Sequence, residues 1–233
     1  MFQSIKERVA KLYFRIFKPY DYAAWKDYSF TDERLKFVHL LEAVNYAKIA
    51  LMPHTYFEFG CHSARTFSSV VRAANFLGMK DMEFYAFDSF QGLPKTEADV
   101  DGIFVKGEFH TSLPTFLSNV RQYSGKELDK KYIVEGFYSE SLTDSVKKRM
   151  PQAGIIHIDV DLYSSTVSVL EFVKESLVIG TVLIFDDWYC FPPGKDMGEK
   201  KALNEFLEKY PSITLEEWKS YSTFGKSFFV KTI

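Results

Sequence analysis

Gly154-Ile155-Ile156-His157-Ile158-Asp159-Val160-Asp161-Leu162-Tyr163-Ser164-Ser165-Thr166 is the segment from which the architecture of this chain follows. A short apolar run ends abruptly in two acids, and small hydroxyl residues that favour a helix start follow them. That pattern is a buried strand handing over to a helix, with its chemistry at the strand's carboxyl end. Four other apolar runs, at 55–59, 83–87, 132–135 and 181–185, have the same character. Helical patterns near 64–78, 111–124, 141–149, 164–177 and 198–209 alternate with them, which predicts a mostly parallel sheet flanked by helices. Residues 214–221 and 226–231 alternate with period two and are joined through Thr223-Phe224-Gly225, so they predict a terminal antiparallel hairpin. The expected fold is α/β and Rossmann-like: a mostly parallel seven-stranded sheet, a C-terminal antiparallel hairpin and N-terminal helices.

Upstream of the sheet, Phe2, Ile5, Val9, Leu12, Tyr13, Ile16 and Phe17 recur at helical spacing, with Lys6, Arg8, Lys11 and Arg15 opposite. A basic amphipathic helix of this kind suits peripheral contact with an anionic membrane surface. It equally suits packing on the domain or on a second subunit, as in a homodimer. Pro19 is expected to end this helix, an aromatic-rich connector to run to Phe30, and Thr31-Asp32-Glu33 to open a second helix reaching about Ala50. Leu35, Val38, Leu41 and Val44 fall on one face of that second helix. The expected division is an N-terminal helix and arm in 1–30 and one catalytic domain in 31–233.

Hydrophobic residues make up 46% and aromatics 17% of the chain, enough for a large closed core and against a disordered or coiled-coil reading. A formal net charge of −2 excludes a globally basic nucleic-acid binder. No run approaches the roughly 18 apolar residues of a membrane span, and Lys6, Arg8, Lys11 and Arg15 interrupt any signal-peptide core. Cys61 and Cys190 supply neither a disulfide framework nor a cysteine zinc site. The expectation is a reduced, cytoplasmic protein, with the N-terminal helix as its one route to membrane association.

In open α/β sheets, ligands bind beyond the carboxyl ends of the strands. The first strand ends in Glu58-Phe59-Gly60-Cys61-His62-Ser63-Ala64. Gly60 allows a tight turn, and Ser63 and Ala64 are small enough for a ligand to approach the next helix, although the usual second glycine is missing. The second strand delivers Asp88 and Ser89, and an acid there either accepts hydrogen bonds from ribose hydroxyls or caps the turn that follows. Gly92 and Pro94 stiffen the entry to a polar stretch, 95–110, that has the length of a lid and carries His110. The fourth strand ends in Asp159 and Asp161, and the neighbouring fifth in Asp186 and Asp187. Four carboxylates in one small volume repel one another and raise each other's pKa. A hard divalent cation, Mg²⁺ or Ca²⁺, is the simplest remedy; capping of the helix near Ser164, or contact with a cofactor, is the other use for these acids.

Those residues resemble the macrocin O-methyltransferase (TylF-type) family of class I S-adenosylmethionine-dependent methyltransferases, over roughly residues 31–210. The resemblance rests on Glu58-Phe59-Gly60, on Asp88-Ser89-Phe90-Gln91-Gly92-Leu93-Pro94, on Asp159-Val160-Asp161-Leu162-Tyr163-Ser164-Ser165-Thr166 and on Asp186-Asp187. It implies the class I methyltransferase fold and an S-adenosylmethionine- and Mg²⁺-dependent O-methyltransferase acting on a sugar or glycoside-type small molecule. Asp159, Asp186 and Asp187 would then hold the metal. Asp161 would be the general base, with His110 as the alternative, and Asp159 would serve both metal and reaction. Glu58, Gly60 and Asp88 would contact the cofactor, together with Cys61, His62, Ser63, Ser89 and Asp159 around the same turns. Gly136 and Phe137, in Val134-Glu135-Gly136-Phe137-Tyr138, would border the adenine. His157 shares the strand face of Asp159 and is expected in the core or behind the site, and His39 and His54 are expected to pack. Competing readings are a metal-dependent glycosyltransferase using the Asp159-Val160-Asp161 pair, a non-catalytic binding subunit on the same fold, and, more remotely, a nicotinamide enzyme.

Overall fold

The computed structural model describes residues 19–94, 105–192, 194 and 196–233, with backbone alone for 19–25. The expected amphipathic helix at 2–17, with any membrane or subunit contact it makes, and the centre of the 95–110 loop lie outside the described residues. Five parallel strands, β1 (Thr55–Phe59), β2 (Glu83–Asp88), β3 (Ile133–Glu135), β4 (Ile155–Ile158) and β5 (Val182–Phe185), join a hairpin, β6 (Thr214–Tyr221) and β7 (Gly225–Thr232). The sheet order is β3-β2-β1-β4-β5-β7-β6, and β7 runs antiparallel to both β5 and β6. The expected seven-stranded, mostly parallel architecture is the one observed.

The sequence pattern explains which strands lie where. All five residues of β1 are buried, as a central parallel strand covered on both faces requires. Edge strand β6 keeps Glu216, Glu217 and Ser220 exposed, and charges on an edge discourage pairing with another chain. One face of the sheet is covered by α1 (Pro19–Ile49), α2 (Arg65–Phe76) and α3 (Leu113–Ser124), around Val44, Phe67 and Phe116. The other is covered by α6 (Tyr163–Val173) and α7 (Gly198–Lys209), around Phe59, Phe172 and Phe206. Residues 141–149, expected as one helix, instead form two single turns, α4 (Tyr138–Ser141) and α5 (Asp144–Lys147). Thr143 separates them because its hydroxyl caps the second turn, accepting from Val146 N.

Two expectations about α1 are corrected. It runs unbroken from Pro19 to Ile49, so there is no connector to Phe30 and no new start at Thr31. Proline is tolerated in the first turn of a helix, where its missing N–H is not needed, and nothing after it breaks helical geometry. Leu35 and Val38 are 48% and 47% exposed, whereas Leu40, Ala43, Val44 and Ala47 are buried. The face is rotated because polar and aromatic contacts, as well as aliphatic ones, dock this helix. Tyr28 Oη lies 2.6 Å from Thr223 Oγ1, and Asp32 Oδ1 accepts from both Thr223 N and Thr223 Oγ1 at 3.0 Å. His39 stacks on Tyr221 at 4.3 Å, Lys219 pairs with Glu42, and Tyr46 packs on Phe229 at 4.7 Å. Positions 28, 32, 39, 42 and 46 share one side of the helix and ride along the hairpin. Among the described residues, no helix is long and apolar enough to cross a membrane.

Candidate active site

At the end of β1 the backbone turns at Gly60, with φ +85°, and a Cβ there would stand 1.7 Å from the Asp159 carbonyl oxygen. Only glycine therefore lets the first and fourth strands release their loops side by side. His62 and Ala64, with φ of 37° and 66°, continue the turn in a conformation that non-glycine residues rarely adopt. Asp88 holds it in place: Oδ2 accepts from Cys61 N at 2.7 Å and His62 N at 3.0 Å, and Oδ1 accepts from Phe90 N at 2.7 Å. A carboxylate has about four acceptor positions, so Asp88 retains room for one more donor. Gly136 closes the opposite rim, its N–H donating to the Asp88 carbonyl at 3.0 Å. These turns surround a pocket of about 450 Å³ whose walls include Gly60, His62, Asp88, Ser89, Gly136 and Phe137.

Its floor is acidic. Asp159, Asp161, Asp186 and Asp187 all line it, as the pairing of β4 with β5 requires. Asp161 has φ 60°, and Leu162 N reaches back to Val160 O at 2.6 Å, so this side chain is presented at the centre of a γ-turn of the rare, strained kind. Asp187 Oδ1 accepts from the Cys190 thiol at 3.1 Å, and its backbone N–H donates to buried Glu199 Oε2 at 2.9 Å. Its Oδ2 is buried with no hydrogen-bond partner among the described residues.

Asp186 is differently placed. Lys36 from α1 donates to Oδ2 at 2.5 Å, Tyr221 from β6 donates to Oδ1 at 3.0 Å, and His157 Nε2 stands 3.8 Å away. Behind it, His157 Nδ1 lies 4.0 Å from Glu58 Oε2 and 3.4 Å from Tyr56 Oη, and Tyr56 also donates to Glu58. Burial opposes charge on His157, but the nearby Asp186 and Glu58 carboxylates win and push its pKa up to about 10. Burial likewise opposes charge on Lys36 and is outweighed by Asp186 and Asp159, so its pKa is raised. Burial works against Asp186 too, yet His157 and Lys36 hold it below the usual carboxylate range.

Among the described residues no lysine or arginine is paired with the other three acids, and they behave in the opposite way. Burial, reinforced by Asp186 and Asp187, raises Asp159 well above its ordinary value. Burial and the charges of Asp187 and Asp186 push Asp161 up to about 8, and burial with Asp186 pushes Asp187 up to about 6.

This donor set fits a divalent cation. Oxygen-only acids crowd one floor, and the buried Asp187 Oδ2 is an acceptor without a donor. Ligand atoms of His157, Asp159 and Asp186 also lie within 4.8 Å of one another. His157 is buried behind Asp186 and does not line the pocket, whereas the four acids do, which favours the carboxylates as the ligands.

The structure brings most of the anticipated residues together and separates a few. Glu58 is fully buried beneath the pocket, bonded to Tyr56, and does not line it. The Cys61 side chain points into the core, its Sγ 3.4 Å from the Glu58 carbonyl, so Cys61 serves the site through its backbone N–H. Ser63 contributes a carbonyl to Asn119 at 3.1 Å and lies outside the pocket wall. His110 is exposed and also outside that wall, because the chain turns at Phe109 (φ 58°) and sends the Phe109 ring to the pocket instead, 5.8 Å from His62. Lys36, Tyr221 and Glu199 were not anticipated. A lone lysine between Leu35 and Phe37 was the available signal for the first; nothing local marks the other two.

Residues 28–209 match the macrocin-O-methyltransferase (TylF) family. The structure is similar to that of the O-methyltransferase NovP, with TM-score 0.68 and 21% identity over 86% of this chain and 80% of that one. It is also similar to the calicheamicin methyltransferase CalS11 (TM-score 0.59, 18% identity, 82% and 78% covered). A third likeness is to an O-methyltransferase from Bacillus cereus in complex with SAH (TM-score 0.50, 12% identity, 85% and 78% covered). At such identities these structures speak for the fold alone. Among curated proteins, none matches the sequence.

Proposed function

Because the chain belongs to the macrocin O-methyltransferase family and is an S-adenosylmethionine-dependent O-methyltransferase, we propose that it methylates a hydroxyl of a sugar or glycoside-type acceptor. Asp159, Asp186 and Asp187 hold a divalent cation, Mg²⁺ by preference, and Asp161 is the general base. The observation that carries this reading is the convergence of four acids on one pocket floor, with Asp187 Oδ2 left without a donor.

S-adenosylmethionine supplies a methyl group on a sulfonium centre, which an acid-lined pocket favours by charge. Gly60 and Gly136 leave room for it, Asp88 and Ser89 offer acceptors on one side, and Phe137 offers an aromatic face on the other. Held by Asp159, Asp186 and Asp187, a divalent cation would lower the pKa of an acceptor hydroxyl. With S-adenosylmethionine bound, the chemistry supplied would be transfer of its methyl group to the acceptor oxygen, a C–O bond forming as the C–S bond breaks and S-adenosylhomocysteine remaining. Asp161 takes the hydroxyl proton, its side chain presented to the pocket by the turn at its positive φ. Lys36 and Tyr221 keep Asp186 ionised and aimed, and His157 supports it from behind. The glycosyltransferase, binding-subunit and nicotinamide readings are set aside by family membership.

The test is calorimetric titration of wild type and Asp161→Asn with S-adenosylhomocysteine and Mg²⁺, alongside turnover on a panel of glycosides. Asp161→Asn is expected to keep both affinities and lose turnover by about 10²–10⁴-fold. Normal turnover in that variant would remove Asp161 as base, and turnover indifferent to chelation would remove the metal.

A further inference from the structure

A second concavity, a groove of about 770 Å³, opens between α1, α2 and α3. Lys36 lines both this groove and the acid-floored pocket, so the two adjoin at that residue. The pocket's 450 Å³ lies toward the small end of the roughly 300–1,000 Å³ found for sites holding one drug-sized ligand. Once the cofactor and the reacting sugar ring occupy it, anything further attached to the acceptor must lie outside, and the groove is the concave surface at its edge.

The lining alternates rings with guanidinium groups. Phe30, Arg34 and Phe37 follow one another at helical spacing on α1, facing Arg65, Ser69 and Arg72 on α2. Lys36 is committed to Asp186 and Arg65 to Glu33. Arg34 lies over the Phe30 ring at 5.7 Å and Arg72 over Phe37 at 5.5 Å, and Arg72 also donates to Ser69 Oγ at 3.1 Å. Neither has a carboxylate partner among the described residues. A guanidinium attracted to a ring face is restrained, and its remaining N–H groups match the oxygens of a phosphate or carboxylate. Phe30 is 61% exposed, an apolar ring face left in water beside a cation, which suits a sugar ring carrying a negative charge.

We propose that this groove binds the part of the acceptor that extends beyond the methylated sugar, and that this part is anionic and held by Arg34 and Arg72. The anion is the phosphate of a glycosyl diphosphate or the carboxylate of an acidic glycan. The assignment rests on the sugar O-methyltransferase reading and adds the charge and placement of the acceptor's remainder.

The experiment titrates the full chain, saturated with S-adenosylhomocysteine and Mg²⁺, with UDP-glucose, tetragalacturonate and the neutral maltotetraose. The same titrations are made on the Arg34→Gln/Arg72→Gln variant. At least one anionic probe is expected to bind the wild type more tightly than maltotetraose and to weaken about tenfold or more in the variant, and which probe binds identifies the source of the charge. Failure of both anionic probes, equal binding by maltotetraose, or undiminished binding to the variant would overturn the proposal. S-adenosylhomocysteine affinity, read separately on both proteins, is expected to be equal; its absence from both would sink the methyltransferase reading, while equality shows that the variant is folded.

Discussion

At the scale of single residues, the site depends on a few backbone positions with no tolerance. Gly60→Ala places a methyl group inside the Asp159 carbonyl at a φ of +85°, so it is expected to cost more than about 4 kcal/mol or to prevent folding. Gly125→Ala, also at positive φ but with open space around it, isolates the conformational part and is expected to cost only about 1 kcal/mol. Urea unfolding of the two variants measures the difference, and similar costs would mean that the close approach of β1 and β4 is unimportant. The acids make a second prediction. Asp161 and Asp187 have folded pKa values of about 8 and about 6, above their unfolded values, so the folded state holds extra protons. The stability this contributes is complete below about pH 4 and is lost as pH rises through about 6 and then about 8. A cation that shields the same carboxylates should therefore raise Tm more at about pH 8.5 than at about pH 5.5. An equal Mg²⁺ shift at both pH values would argue that the ion binds elsewhere.

At the scale of elements, legibility followed the kind of force involved. The central strands were plain because burial on both faces leaves an apolar run bounded by acids, as in 154–161. Asp159, Asp161, Asp186 and Asp187 were plain for the same reason, since a strand end fixes where its next residues point. Helix α1 was misread at Leu35 and Val38 because aliphatic periodicity assumes an aliphatic contact, and this helix docks through Tyr28, Asp32, His39 and Tyr46. Lys36 stayed hidden with it: a lysine is a functional residue only once its carboxylate, 150 positions away, is known to face it. Sequence order at a strand end does not say which side chain turns inward, and Glu58 is buried beneath the pocket instead of lining it. The docking is testable on its own. Asp32→Ala removes the acceptor for Thr223 N and Oγ1 and is expected to cost about 1 kcal/mol, with faster hydrogen exchange at the Thr223 amide. Unchanged exchange there would place the anchor of α1 elsewhere along its face.

At the scale of the whole molecule, the pocket is assembled from distant parts of the chain. The family match ends at residue 209, yet Asp186 takes a hydrogen bond from Tyr221, and α1, which delivers Lys36, is anchored on Thr223. Strand β7 enters between β5 and β6, so a strand made after β5 and β6 supports the one that leads into Asp186 and Asp187. Ribosomes release the N-terminal parts first, at about 5–20 residues per second, and every acid of the floor is translated well before β7. During that interval the nascent polypeptide has Lys36 and His157 but not Tyr221, the Thr223 anchor of α1 or the strand beside β5. A message cut short after α7 would thus yield a product with all four aspartates and an incomplete frame around them. The hairpin makes translation to its end a condition of activity.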